Sequence, residues 1–263
     1  MTARRTTTTE GRRRRIVELT AEAAFLRPTD IAEQLGVSAE TIRRDLVALE
    51  EGGQLRRVHG GALALDVAAS EPSRTDRSSI NQDQKLQIAA IVAGLVAPSD
   101  IVFMDVGTTI ETAAQQLAAD FVGTVVTNSL AVGAALNERR EVELHLLGGR
   151  VRVGEMTTYG SDALAQLRTF NASVAFIGSG GIDLEAGMTD FSSEDVEIKR
   201  TMLSRASRTY ILATSDKFGT QAMRSVCSLD EVDGIVTDAA LDAAVLAEYE
   251  EAGVTVLTPG RRP

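Results

Sequence analysis

The sequence predicts an α/β protein in two parts: a small three-helix unit closed by a strand pair, then a larger unit built on a mainly parallel sheet. Three observations predict it. Short amphipathic helices separated by tight turns occupy the first 65 residues. Beyond residue 84, short apolar runs alternate with helical stretches, the pattern of strands covered on both faces. Charge divides along the same line: residues 1–62 hold 11 Arg against nine Asp and Glu, whereas the rest holds 16 Lys and Arg against 28 acids, within a net charge of −10. Such asymmetry between halves hints at a basic nucleic-acid module on an acidic body.

The first elements follow from spacing and punctuation. Residues 1–15, with six Arg and one Glu, read as a solvated basic tail. From Arg12 to about Ala24, Ile16, Leu19 and Ala23 recur at helical spacing. Pro28 then suits the start of a second helix over 29–35, because its missing N–H would be unbonded there anyway. Gly36 and Val37 turn the chain. Ser38 is the expected N-cap of a third helix, in which Ile42, Leu46 and Leu49 face inward as far as Glu51. Gly52 and Gly53 end it, and residues 54–63 read as a strand pair carrying Arg56, Arg57 and the turn His59-Gly60-Gly61. Together residues 16–65 form a winged helix-turn-helix pattern. The third helix buries one face and offers Glu40, Thr41, Arg43 and Arg44 on the other, and an Arg can pair bidentately with guanine.

A polar, turn-rich stretch, 66–83, is the expected linker, and residues 84–263 form the second domain. Its strands are expected at 101–104, 123–127, 143–147, 174–177, 209–213, 234–237 and 254–258. Gly-, Thr- and Asn-rich loops follow five of them: Asp105 to Thr109, Thr127 to Ser129, Gly148 to Arg150, Gly178 to Asp183 and Ser215 to Phe218. Ligands bind outside the carboxyl ends of parallel strands, so these loops mark a site. Amides and hydroxyls where the first loop opens a helix suit a phosphate. In a domain of net negative charge, such an anion needs local cations, best supplied by Lys217, Arg150 and Arg152, then by Lys199 and Arg200. For the last two, surface pairing with Glu194, Asp195 or Glu197 is an equal alternative.

Composition excludes other classes. One Cys (Cys227) allows no internal disulfide, and with two His it allows no zinc finger. No run approaches a membrane span, and the N-terminus has no apolar signal core. Neither G-x-x-x-x-G-K nor G-x-G-x-x-G occurs, which disfavours a nucleotide. No cofactor and no metal are expected, and the location expected is the cytoplasm.

The run from Val37 through Ser38, Glu40, Thr41, Ile42, Arg43, Arg44, Asp45 and Leu46, continuing by Leu49, Gly53, Leu55 and Arg57 to His59-Gly60-Gly61-Ala62, resembles the N-terminal signature of the DeoR (GlpR-type) repressors. That resemblance implies a third helix in the major groove of DNA and a wing on its backbone. Carried over residue by residue, it assigns DNA binding to Ser38, Glu40, Thr41, Arg43, Arg44, Arg57 and His59, with Asp45 a salt-bridge partner instead. The later loops resemble that family's C-terminal domain, which is similar to ribose-5-phosphate isomerase. There the resemblance implies that Thr108, Thr109, Asn128 and Lys217 hold a phosphate and Asp105 the sugar hydroxyls, with Gly107, Ser129, Gly149, Arg150, Gly180 and Asp183 completing the effector site. Val106, the run Ala213-Thr214-Ser215-Asp216 and Asp195 depart from the family pattern.

The function expected is a sequence-specific transcriptional regulator, a repressor of a sugar-catabolism operon relieved by a phosphorylated sugar and acting as a homo-oligomer, dimer or tetramer, on double-stranded DNA. The alternative is a sugar-phosphate isomerase with a DNA-binding appendage, its base drawn from Asp105, Asp183, Asp195 or Glu197. Against it, Leu184 to Met188 lacks the lysine of the isomerase loop. Repression and activation differ only by where the operator lies.

Overall fold

A computed structural model describes residues 9–22, 26–51, 55–58, 61–64 and 71–261. The chain divides between Glu71 and Pro72 into two compact units. In the first, α1 (Thr9–Glu22), α2 (Pro28–Leu35) and α3 (Ala39–Glu51) pack around Ile16, Ile31, Ile42, Leu46 and Leu49. Gly36 takes φ 65°, a left-handed turn that costs glycine nothing, and its N–H closes α2 onto Ala32 and Glu33. The Ser38 hydroxyl accepts from the Thr41 amide at 3.1 Å, the cap its residue type forecasts. Strands β1 (Leu55–Val58) and β2 (Gly61–Ala64) pair antiparallel, Leu55 opposite Ala64, and Leu55 seals the base of the core.

The tail expected over 1–15 differs. Helix α1 already begins at Thr9, and Arg12 and Arg13 both reach the buried Asp45 carboxylate, at 2.5 and 3.0 Å. Those two arginines therefore belong to the packing of α1 on α3, because a buried carboxylate needs a cationic partner. Burial raises the Asp45 pKa, but the two guanidiniums outweigh it and hold the carboxyl below its usual range.

The second unit opens with α4 (Arg74–Ser79), inside the stretch 66–83 expected as linker, and α5 (Gln82–Leu95), which starts at the end of that stretch. Its frame is then β3 (Ile101–Met104), α6 (Thr108–Gln115), β4 (Thr124–Thr127), α7 (Leu130–Leu136), β5 (Glu143–Leu146), the hairpin β6 (Arg150–Arg152) and β7 (Thr157–Tyr159), and α8 (Ser161–Leu167). There follow β8 (Val174–Gly178), β9 (Gly181–Asp183), β10 (Gly187–Asp190), α9 (Ser193–Arg205), β11 (Thr209–Leu212), β12 (Arg224–Cys227), β13 (Gly234–Val236), α10 (Ala243–Glu251) and β14 (Val256–Leu257).

Seven strands form one parallel sheet in the order β14-β13-β11-β8-β3-β4-β5, and they are the seven that the apolar runs predict. Alternate residues divide between two cores. Phe103, Val126, Ala175, Ile177 and Ile211 meet α8, α9 and α10, while Val102, Met104, Val125, Val174 and Phe176 meet α5, α6 and α7. Because β3 lies between β4 and β8, chain order reverses there, and the crevice beyond the carboxyl ends of β3 and β8 is the topological switch point.

Candidate DNA interface and effector site

On the first unit, α3 exposes Glu40, Arg43 and Arg44 while Asp45 and Leu46 are buried beneath them. Glu40 lies 3.5 Å from Arg43 and 3.4 Å from Arg44, one and the same carboxylate facing both guanidiniums across solvent. Exposed pairs of this kind are worth little, so either arginine can leave for a base or a phosphate. Ser38 and Thr41, half-buried or exposed, bond each other at 2.8 Å at the helix start. Arg57 lies on β1 opposite Ala62. His59 lies outside the described residues.

On the second unit, the predicted residues cluster at the carboxyl ends of the sheet. Asp105 leaves β3 fully buried, and its Oδ2 accepts from the Gly178 amide at 2.9 Å and from the Lys199 ammonium. Gly107 (φ 111°) turns the chain so that Thr108 and Thr109 open α6. Asn128, fully buried after β4, donates to the Thr158 carbonyl at 3.0 Å, and Ser129 caps α7 by accepting from Val132 at 3.2 Å. Gly149 and Gly180 mark close approaches. A Cβ on the first would sit 2.6 Å from the Tyr159 carbonyl oxygen, and on the second 3.0 Å from the Phe191 ring. Lys217 ends a 3-10 turn, Ser215–Lys217, and forms no ion pair among the described residues.

Two predicted residues have other local roles. The Asp183 carboxylate accepts from the amides of Glu185 and Ala186, at 3.0 and 2.9 Å, tying off the turn between β9 and β10. Arg150 is exposed on the β6–β7 hairpin, its guanidinium 5.5 Å from the Tyr159 ring centre.

Lys199 is buried beside Asp105 at the switch point, not on the surface of α9. It is 1% exposed, bonds the Gly178 carbonyl at 2.8 Å and lies 3.2 Å from Asp190. Arg200, its neighbour, donates instead to the carbonyls of Val226 and Ser225 on β12, both at 2.9 Å. Burial lowers the Lys199 pKa, but the carboxylates of Asp105, Asp190 and Asp195 together raise it, so the ammonium keeps its charge. Asp195, one turn before on α9, meets Arg152 at 2.7 Å. Burial first, then repulsion from Asp105 and Asp190, raises its carboxyl to about 6, although Lys199 and Arg152 pull the other way. Among the described residues, the Asp105 and Asn128 side chains each leave one buried oxygen, Oδ1, without a hydrogen-bond partner, as does Asp195.

Sequence reasoning missed Arg77 and Lys85. Lys85 is buried and donates to the carbonyls of Arg77 and Ile80 at the end of α4. Burial, then Arg77 and Lys217, lower its pKa against the pull of Asp216 and Glu111. Lys85 stands three, four and seven residues before Ile88, Ala89 and Val92 on the buried stripe of α5, so helical spacing is the signal that could have found it.

Comparison with known proteins gives the following. The family described as "DeoR-like helix-turn-helix domain" matches residues 12–67, and that described as "DeoR C terminal sensor domain" matches residues 80–239. The chain is 34% identical over 248 residues to the HTH-type transcriptional regulator GlpR of Haloferax volcanii, covering 94% of this chain and 96% of that one. It is 33% identical over 228 residues to the HTH-type transcriptional repressor GlcR of Bacillus subtilis, covering 86% and 87%. Among solved structures, ribose 5-phosphate isomerase A from Methanocaldococcus jannaschii is 14% identical, with 52% of this chain and 55% of that chain covered and a TM-score of 0.39.

Proposed function

The chain belongs to the DeoR family of helix-turn-helix transcriptional regulators, and from that premise we propose that it is a cytoplasmic repressor of a carbohydrate-use operon, released from DNA by a phosphorylated sugar. Membership places it among regulators, not among enzymes. Among the described residues no helix is long and apolar enough to cross a membrane.

One observation carries the effector reading. At the carboxyl ends of β3 and β4, fully buried Asp105 and Asn128 each hold an oxygen without a hydrogen-bond partner among the described residues, and Asp105 is followed by the helix start at Gly107 to Thr109. A buried acceptor without a donor costs about 1–3 kcal/mol. Sugar hydroxyls supply such donors, while the α6 amides, the Thr108 and Thr109 hydroxyls and Lys217 suit the phosphate of the same molecule. Ser129, Gly149 and Gly180 shape the wall, and Arg150 and Asp183 lie at its margin.

On the DNA side, α3 reads base edges through Arg43 and Arg44, with Ser38, Thr41, Arg57 and His59 on the backbone and Glu40 orienting the arginines. One such module covers too little surface for tight, specific binding, so the repressor works as a homo-oligomer on paired half-sites.

A thermal-melt panel tests the effector. Glycerol 3-phosphate, fructose 1-phosphate, glucose 6-phosphate and galactosamine 6-phosphate are compared with their unphosphorylated forms. A ligand at 100 times its Kd stabilises by about 2.7 kcal/mol. A rise in Tm with one phosphate and not with its free sugar is the expected result, and no rise with any phosphate refutes the effector reading.

A further inference from the structure

We infer that α4 is a strap through which the effector site governs the chain leading to the DNA-binding unit; the inference rests on the effector reading above. The helix is six residues long, capped by the Ser73 hydroxyl accepting from Asp76 at 3.2 Å, and none of its side chains is buried. Nothing hydrophobic holds it in place. Polar bonds from α4 and the residues just after it, to α6, to the β6–β7 hairpin and to the 3-10 turn at Ser215–Lys217, hold it instead.

Arg74 pairs with Glu111 on the first turn of α6 at 2.5 Å. Arg77 pairs with Glu155 in the loop of the β6–β7 hairpin, and its Nε donates to the Pro72 carbonyl at 3.0 Å. Just past the helix, Asn81 donates to Asp216 at 2.9 Å, next to Lys217. The carbonyl of Arg77 receives two donors at once, the Lys85 ammonium and the Thr108 hydroxyl, the latter at 3.4 Å.

That shared carbonyl is the switch. Thr108 has one hydroxyl hydrogen, given to α4 or to a phosphate but not to both. A phosphate at the start of α6 takes that hydrogen, and its charge also attracts Lys85, the other donor to the same carbonyl. Loss of the Thr108 donor, and any shift of Lys85 toward the phosphate, weakens the hold on α4. Clamped α4 and bound phosphate thus compete, and a ligand that favours one of two arrangements shifts the population by its differential affinity.

The location of α4 gives the competition a consequence. It begins at Arg74, three residues beyond Glu71, the last residue of the DNA-binding unit, and Arg77 also holds the carbonyl of Pro72, the first residue of the sensor unit. Loosening α4 therefore lengthens the connection between the two units. A longer connection lowers the effective concentration of one DNA-binding unit once its partner is bound. The clamped state is the DNA-binding state, and the effector releases DNA by unfastening it.

The test needs no ligand. Arg77→Glu sets two carboxylates against each other, and the double variant R77E/E155R restores an ion pair with the signs exchanged. Binding to a fragment from the protein's own upstream region is measured at one fixed salt concentration, with Tm recorded for each variant. R77E is expected to weaken binding by about 5- to 150-fold, the usual span of allosteric coupling, and R77E/E155R to recover most of it. Wild-type binding by R77E overturns the inference. Equal loss in both variants also overturns it, because general damage rather than the strap then explains the loss. If the strap variants behave as expected while no sugar phosphate shifts Tm, the strap stands and the effector reading alone falls.

Discussion

Lys199 and Asp105, 94 residues apart in the chain, form a buried ion pair at the switch point of the sheet. Each is almost wholly out of water, and the lysine also faces Asp190. Such a pair stabilises little compared with apolar packing, yet removing one member strands the other. Here it fixes Asp105, whose second oxygen, Oδ1, is buried without a hydrogen-bond partner among the described residues.

Lys199→Met strands two carboxylates and is expected to lower stability by about 3–5 kcal/mol in urea unfolding. A loss below about 1 kcal/mol would mean that Asp105 and Asp190 take up protons at no cost and that the pair is not charged.

Asp195 gives a pH dependence whose sign follows from its carboxyl, raised from 3.8 to about 6 in the folded protein. A raised acid holds its proton better folded than unfolded. Its stabilising share is present in full below about pH 4 and is lost as pH rises through 6. Asp195→Asn removes that slope and leaves the protein more stable at pH 7 by roughly 2–3 kcal/mol. Unfolding measured between pH 4.5 and 7.5 checks it, and a variant with the wild-type slope contradicts it.

Gly178→Ala tests the closeness of β8 to the loop after β3. The added Cβ would lie 2.7 Å from the Val106 carbonyl oxygen, a backbone atom that cannot swing away. Overpacking of this kind costs about 1–3 kcal/mol, and the displaced Asp105 loop also weakens sugar-phosphate binding in the thermal-melt panel. Unchanged Tm and unchanged binding would show that the loop yields freely.

For α3, Arg44→Ala and Arg43→Ala separate base reading from phosphate contact. Loss of a base contact costs about 1–3 kcal/mol and relaxes specificity at one position, whereas loss of a phosphate contact lowers the salt slope by about one. We expect at least one of the two to follow the first pattern in titrations against operator variants. Two uniform losses would place α3 on the backbone instead of in the groove.

Much of this was legible before the fold. The seven parallel strands announce themselves as apolar runs because each is covered on both faces, and Gly36 and Ser38 punctuate the helix-turn-helix through chemistry local to the turn. Other features depend on partners far away in sequence. Within Ser193–Arg205 a lysine among three acids reads as a solvated face, and only the β3 end shows that Lys199 is buried. The α4 segment reads as linker because it has no apolar stripe, its hold being ionic and long-range. Arg12 and Arg13 read as tail for the same reason, since Asp45 lies more than thirty residues on. The small sheet of β9, β10 and β12 escapes notice because its strands are only three or four residues long.

The central claim is a repressor that a sugar phosphate releases, and fluorescence anisotropy on labelled upstream DNA at 150 mM salt tests it most directly. The account predicts binding at least about 10³-fold tighter than to random DNA, and a loss of tenfold or more on adding the sugar phosphate that raises Tm, with no effect of the free sugar. Equal affinity for random DNA, or DNA binding indifferent to that phosphate, would contradict it.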